Sequence, residues 1–447
     1  MAPVQWRLAE MNDTIRIQTR CGAVKGLNLE DAVLFRGIPF AEAERFSLPT
    51  LIEKWEGEID ATGTELECPQ LSTYTDDSER FFTREFRPNV QWNYAESPLT
   101  LNIAAPKGGK NCPVLVFIHG GGFFTGKQSE LPAGTSTEFA KRGIVLVSLG
   151  YRLNVFGQFR SGNYCHYDQI AGIKWVRDNI AAFGGDPDRI TLSGQSAGAI
   201  SVMNLLYSEE LKGMIQGAFM MSGGGFFPNF GYPWTEKESR PFWDAVREKA
   251  GCTTDEELKT APAETVWRAW WEEKQNHGSI HLLLGAVDGH IVPGRPAKIR
   301  KSGKMLNVPV LIGVTSQDMI APLAMHRILI SFGLWSAKNR RQPVYGYLFD
   351  RVPPGNCYRA FHSSDLWYVF GNMDKSWRPF EQRDYEIQKE MTDAVAAFVK
   401  MQNPGWEPIS PSMRKVRCFG DRKKQMISGL QAFPELLINT LFRRGPM

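Results

Sequence analysis

The stretch TLSGQSAGAISV (191–202) places Ser196 between Gly194 and Gly198, after an apolar run and before a helix-like one. A serine hydroxyl is a weak nucleophile at neutral pH. It needs a base, a group that orients the base, and donors for the oxyanion that its attack creates. The pentad G-x-S-x-G is too common to imply this alone. A strand-turn-helix elbow would give it meaning, because the central residue is then strained and only small neighbours fit beside it, hence Gly194 and Gly198. Upstream, FIHGGGFFTG (117–126) follows another apolar run. Its glycines let backbone N–H groups approach a ligand without a Cβ in the way. The N–H groups of Gly121, Gly122 and Ala197 are the expected oxyanion donors.

The chain has seven histidines, at 119, 166, 277, 281, 290, 326 and 362. In strand-elbow hydrolases the order is serine, acid, histidine, which disfavours 119 and 166. His362 lies in AFHSSDLWYVFGN, a polar patch beyond a strand, and is the expected base. His119 directly precedes the glycine turn and is expected to prop it. His277, His281, His290 and His326 are read as cap or surface residues. The orienting carboxylate should lie in a loop after a strand between Ser196 and His362. Asp318 stands four residues past VPVLIGV (308–314). Asp288 is the rival, but its D-G pair is the mark of a backbone turn.

These groups need a scaffold. PVLVFI (113–118) and GIVLVSL (143–149) are continuous apolar runs, as in strands buried on both faces. DQIAGIKWVRDNIAAFGG (168–185) carries Ile170, Ile173, Val176 and Ile180 at helical spacing, and Gly184 and Gly185 stop it. RITLSG, GAFMMSG, VPVLIGV and VYGYLFD read as further strands, AGAISVMNLLYS as a helix. Ile387, Met391, Val395 and Phe398 mark another helix. The alternation predicts an α/β protein with a mostly parallel sheet flanked by helices. Residues 226–305 break the pattern and are rich in tryptophan. They are read as a cap inserted within one domain spanning 1–447.

The hydrophobic fraction is 43% and the charged fraction 22%, ordinary for a globular protein. The net charge is +4, and the basic clusters IRKSGK, NRRQ, DRKKQ and LFRRG are short and scattered. They read as solvated faces, so no nucleic-acid partner is expected. No run approaches the roughly 18 apolar residues of a membrane span, and the N-terminal residues do not read as a secretory signal. The seven cysteines include no C-x-x-C pair. No metal or cofactor is expected, and the thiols point to a reducing cytoplasm. Oligomeric state is not legible.

Longer segments sharpen the reading. FRGIPFAEAERF, WEGEIDAT, SPLTLNIAAP, HGGGFFTG, YRLNVFG, DQIAGIKWVRDNIAAFGGDPDRITLSGQSAGA, DGHIVP and FHSSDLWYVFGN resemble, in order, segments of the type B carboxylesterase family, which includes the cholinesterases. The resemblance spans nearly the whole chain. It implies an α/β-hydrolase fold and cleavage of carboxylic esters through an acyl-serine, with Ser196, Asp318 and His362 as the triad. The family's acid is usually glutamate, one methylene longer than Asp318. Where the cholinesterases carry glutamate before the serine, this chain has Gln195, which removes a negative charge and argues against cationic choline esters. Cys68 matches a family cysteine that is often disulfide-bonded, but Pro98 stands where its partner would be, so no bridge is expected. The chain is short for the family, which implies a reduced cap.

The expected substrate is a small ester with neutral apolar or aromatic groups. Two other readings exist. One is a catalytically inactive binding module, which the intact serine, carboxylate and histidine disfavour. The other is the same machinery acting on an amide, carbamate or thioester.

Overall fold

The computed structural model describes residues 13–428, apart from 64, 77–79, 88–92, 131–133, 135, 227–232, 278–281, 283–284, 319–321, 356–359 and 422–425. Its strands are β1 (Thr14–Gln18), β2 (Ala23–Asn28), β3 (Ala32–Pro39), β4 (Ala41–Glu42), β5 (Thr50–Leu51), β6 (Glu58–Asp60), β7 (Thr100–Pro106), β8 (Cys112–Ile118), β9 (Val145–Leu149), β10 (Gly185–Gln195), β11 (Gly217–Met221), β12 (Val310–Thr315), β13 (Val344–Asp350), β14 (Lys415–Gly420) and β15 (Met426–Ser428). One sheet runs in the order β1-β2-β3-β7-β9-β8-β10-β11-β12-β13-β14-β15, with β6 paired to β2. From β9 to β14 every pairing is parallel. The mostly parallel α/β sheet is therefore present as expected.

Strand β8 shows why a continuous apolar run is required. Val114, Val116 and Ile118 pack on one face with Ile170, Ile173 and Val176 of the helix Tyr164–Asn179. Leu115 and Phe117 pack on the other face with Ile387, Met391, Val395 and Phe398 of the helix Gln382–Met401. Successive side chains alternate between two covered faces, so neither set can be polar. Each such side chain contributes roughly 1.5–3 kcal/mol by burial.

The parallel arrangement has a geometric consequence. The loops leaving β8, β10, β12 and β13 all emerge at the same edge, which is where ligands bind in open α/β sheets. The glycine loop, Ser196, Asp318 and His362 follow those four strands in turn.

Two segments start about four residues earlier than the periodicity implies. The helix expected from residue 168 starts at Tyr164, with Asn163 at its N-cap, and Asp168 lies inside it, paired with Arg152. Strand β10 starts at Gly185, earlier than the apolar run. The helix does give way where glycine was expected to stop it: a short 3-10 turn over Ile180–Phe183 ends on Gly184 at φ 81°.

Between β11 and β12 the described residues form four helices: Glu236–Lys249, Asp255–Thr260, Ala263–His277 and Pro296–Ser302. Thr235 and Glu238 form a capping box at the first. The Trp243, Trp267 and Trp270 side chains are fully buried. Arg45 ties the segment to the sheet, donating to the carbonyls of Leu258 and Ala261 while it pairs with Glu96. Arg160 does the same through Asp244 and Asp255.

Candidate active site

Ser196 sits at φ 56°, ψ −120°, in a turn between β10 and the helix Ala197–Leu205. A non-glycine residue there is strained, and the strain is held by neighbours. The Ser196 N–H donates to Met221 O at 2.8 Å, and the Ser193 hydroxyl donates to Val116 O at 3.0 Å. Gly198 cannot carry a side chain, because its Cβ would overlap the Ile118 carbonyl. Gly194 would overlap Gly198 itself. Both glycines are therefore needed for close approach of strand and helix.

The glycine loop is folded back on itself. Gly121 and Gly122 take φ 95° and 67°, and the N–H groups of Phe124 and Thr125 both donate to Gly121 O at 3.0 Å. A Cβ on Gly121 would overlap the Thr125 carbonyl. His119 does prop the loop. One ring nitrogen, Nδ1, meets Gly120 O at 2.9 Å, and its ring stacks on Tyr151 with centroids 4.3 Å apart. Burial pushes its pKa down to about 3, so it is a neutral brace.

Gln70, which carried no signal in the sequence, pins the loop's far end. Its Oε1 accepts from Gly126 N–H at 2.8 Å and from Arg87 at 3.0 Å. Among the described residues, the N–H groups of Gly121, Gly122 and Ala197 donate to no other group.

The carboxylate and the imidazole meet. Gln317 N–H donates to Ala360 O at 3.0 Å, a bridge that sets Asp318 beside His362. His362 Nδ1 lies 2.6 Å from Asp318 Oδ1. Both residues are buried. Thr315 donates to the other carboxylate oxygen through its N–H at 3.4 Å and its hydroxyl at 3.2 Å. Burial raises the Asp318 pKa. The adjacent imidazole and these hydrogen bonds outweigh it and hold the carboxyl below its ordinary value.

At the other ring nitrogen, His362 Nε2 contacts Gln195 Nε2 at 3.2 Å. The ionised Asp318 can only accept, so the ring proton is on Nδ1, facing it, and Nε2 accepts from the Gln195 amide. This is the tautomer a general base needs. Gln195 was legible in the sequence as a missing charge, not as a contact.

The rival acid is elsewhere. Asp288 Oδ1 accepts from the N–H groups of His290, Ile291 and Val292, each at 2.9 Å, and Oδ2 accepts from Asn163. It closes a turn. A second buried carboxylate, Asp365, lies three residues after His362 and accepts from Tyr347 Oη at 2.8 Å. Burial pushes its pKa up to about 6.

Among the other histidines, His277 and His290 are exposed, as expected. His326 is not a cap or surface residue: it is buried in the helix Pro322–Lys338, which packs on β12 and β13. His281 lies outside the described residues, as do the N-terminal residues 1–12, Cys357, most of DRKKQ and all of LFRRG.

One aromatic ring meets the base, and another packs the glycine loop against the helix Ala263–His277. Phe82 stands edge-on to the His362 ring at 6.4 Å, and Phe124 packs against Trp270 at 5.4 Å. Phe82 gave no sequence signal, because the contact spans most of the chain. Cys68 is free and buried, its sulfur accepting from Leu153 N–H at 3.3 Å. Among the described residues, no group of three or more His, Cys, Asp or Glu side chains could hold a metal ion, and no helix is long and apolar enough to cross a membrane.

Comparison with known proteins gives concordant findings. The sequence profile of the Carboxylesterase family matches residues 13–331 and 326–432. Para-nitrobenzyl esterase of Bacillus subtilis (strain 168) is 29% identical over 467 aligned residues, covering 88% of this chain and 91% of that protein. Acetylcholinesterase of Bungarus fasciatus is 32% identical, and the match covers 68% of this chain but 53% of that longer protein. Among solved structures, a PNB esterase superimposes with a TM-score of 0.80 at 27% identity, covering 94% of this chain and 99% of the other.

Proposed function

For this chain, which belongs to the carboxylesterase family and is a serine carboxylic-ester hydrolase, we propose that Ser196 is the nucleophile, His362 the base and Asp318 its orienting acid. His362 Nε2 takes the proton of the Ser196 hydroxyl as the oxygen attacks the ester carbonyl. Asp318 holds the proton on Nδ1 and stabilises the imidazolium. The N–H groups of Gly121, Gly122 and Ala197 receive the oxyanion, each such donor typically worth about 10² to 10³ in rate. The imidazolium gives its proton to the leaving alkoxide, which departs as alcohol and leaves an acyl-serine. Water then repeats the sequence and frees the acid.

The observation that carries this assignment is the 2.6 Å contact between His362 Nδ1 and Asp318, on the same sheet edge as the strained Ser196 turn. The Phe82 ring beside His362, and Phe124 in the glycine loop, support small esters with neutral apolar or aromatic groups. Residues 226–305 act as a cap within one catalytic domain. The buried thiols of Cys21, Cys68, Cys112 and Cys165 support a reducing, cytoplasmic setting.

The test is hydrolysis of p-nitrophenyl esters from acetate to octanoate by the purified chain and by Ser196→Ala. Wild-type turnover should fall to background in the variant, and the chain-length profile should size the acyl pocket. An active Ser196→Ala variant would remove Ser196 from the mechanism.

A further inference from the structure

Gln195 is buried to 3% exposure between the glycine loop and the imidazole. Its Oε1 lies against Gly120, where a Cβ would come within 2.6 Å of it. Its Nε2 is 3.2 Å from His362 Nε2. The hydrogen bond at that ring nitrogen is therefore to Gln195, not to Ser196. It occupies the lone pair that must receive the serine proton.

We propose that Gln195 is a positioning residue that caps the base in the resting enzyme, competing with the Ser196 hydroxyl for His362 Nε2 and giving way only as the serine proton is transferred. This rests on the assignment of Ser196 and His362 as nucleophile and base. The chemistry requires an amide here. A carboxylate in its place could only accept, and so could not bond an unprotonated Nε2. Among the described residues, two carboxylates act on the ring: Asp318 bonds Nδ1, and Asp365 acts through space, its Oδ2 held by Tyr347. Neither competes for Nε2.

The cap stabilises the ground state and is absent once Nε2 has taken the serine proton, so it opposes the chemical step. Its removal should raise the reactivity of Ser196 by the worth of one hydrogen bond, about two- to tenfold.

The experiment compares the full chain with Gln195→Met, which keeps the volume and loses the donor, and with Gln195→Asn, which is one methylene too short to reach. The readouts are the second-order rate of Ser196 phosphonylation by a p-nitrophenyl phosphonate, kcat and KM for p-nitrophenyl acetate, and Tm. Phosphonylation and kcat should rise about two- to tenfold in both variants, with KM within about twofold of wild type. A merely structural role would instead lower rate and Tm together. Rates at or below wild type in a variant that keeps the wild-type Tm overturn the proposal. If neither variant folds, a crystal structure of the unmodified chain decides. Gln195 on Nε2 in the free enzyme, displaced in the phosphonyl adduct, supports the cap. Ser196 Oγ on Nε2 in the free enzyme overturns it. If the wild type is not phosphonylated at all, the assignment of Ser196 has failed rather than the cap.

Discussion

Replacing Asp318 with asparagine changes one oxygen to an amide nitrogen and leaves the shape of the site intact. Where that nitrogen goes follows from the surroundings. Oδ2 faces two donors, the Thr315 N–H at 3.4 Å and the Thr315 hydroxyl at 3.2 Å. The amide must place its oxygen there, which turns its NH₂ toward His362 Nδ1 across the present 2.6 Å contact. Two donors cannot face each other, so Nδ1 loses its proton and accepts instead. The proton moves to Nε2, and the lone pair that should deprotonate Ser196 is gone. Loss of the correct tautomer costs about 10⁴ in kcat, equivalent to about 5.5 kcal/mol of barrier. KM for p-nitrophenyl acetate should change little, since the ester does not touch Asp318. The assay is steady-state hydrolysis with circular dichroism as the folding control. A folded Asp318→Asn enzyme within tenfold of wild-type kcat would refute the reasoning and move attention to Asp365.

Asp365→Asn should stabilise the protein. Burial raises the folded pKa of Asp365 to about 6, from an ordinary 3.8. Its protonated form therefore contributes stability that is fully present below about pH 4 and is lost as the pH rises through 6. Asparagine stays neutral and still accepts from Tyr347. The variant's advantage should open between about pH 4 and 6 and reach about 3 kcal/mol above it; thermal melts from pH 4.5 to 8 that show a constant gap would contradict this. Gly121→Ala must displace the Thr125 carbonyl and adopt φ 95°. It should cost about 10² to 10³ in kcat through the moved oxyanion donors, measured with p-nitrophenyl acetate. Arg378→Met strands the Glu85 carboxylate, which is 1% exposed and bonded by Arg378 at 2.7 and 2.8 Å. Chemical denaturation should show a loss of about 3–5 kcal/mol, much of it restored by Glu85→Leu in the same chain.

How much of this was legible in advance can be followed residue by residue. Short-range patterns carried the scaffold. Apolar runs such as PVLVFI must be buried on both faces whatever the partner, and Ile387, Met391, Val395 and Phe398 lie on one helical face by spacing alone. The serine turn was legible because the close approach of strand and helix restricts the positions two residues to either side of it to glycine. Asp318 was separable from Asp288 because a D-G pair spends its carboxylate on local N–H groups, as Asp288 does. His326 was misplaced, because a lone histidine on an apolar helix says nothing about which face meets the sheet.

By itself, then, the sequence determined what depends on neighbours along the chain: the strands, the helices, the serine elbow, the glycine loop and the order of candidate acid and base. Only the tertiary structure decided what depends on approach across it. The Gln317–Ala360 bridge brings Asp318 to His362, Gln70 anchors a loop 56 residues away, Phe82 faces a ring near the other end of the chain, and Gln195 spends its amide on the base. The reason is physical. Local conformation is restricted by sterics and periodicity within a few residues, whereas a hydrogen bond between distant side chains exists only once the packed sheet has set their separation to within a few tenths of an ångström.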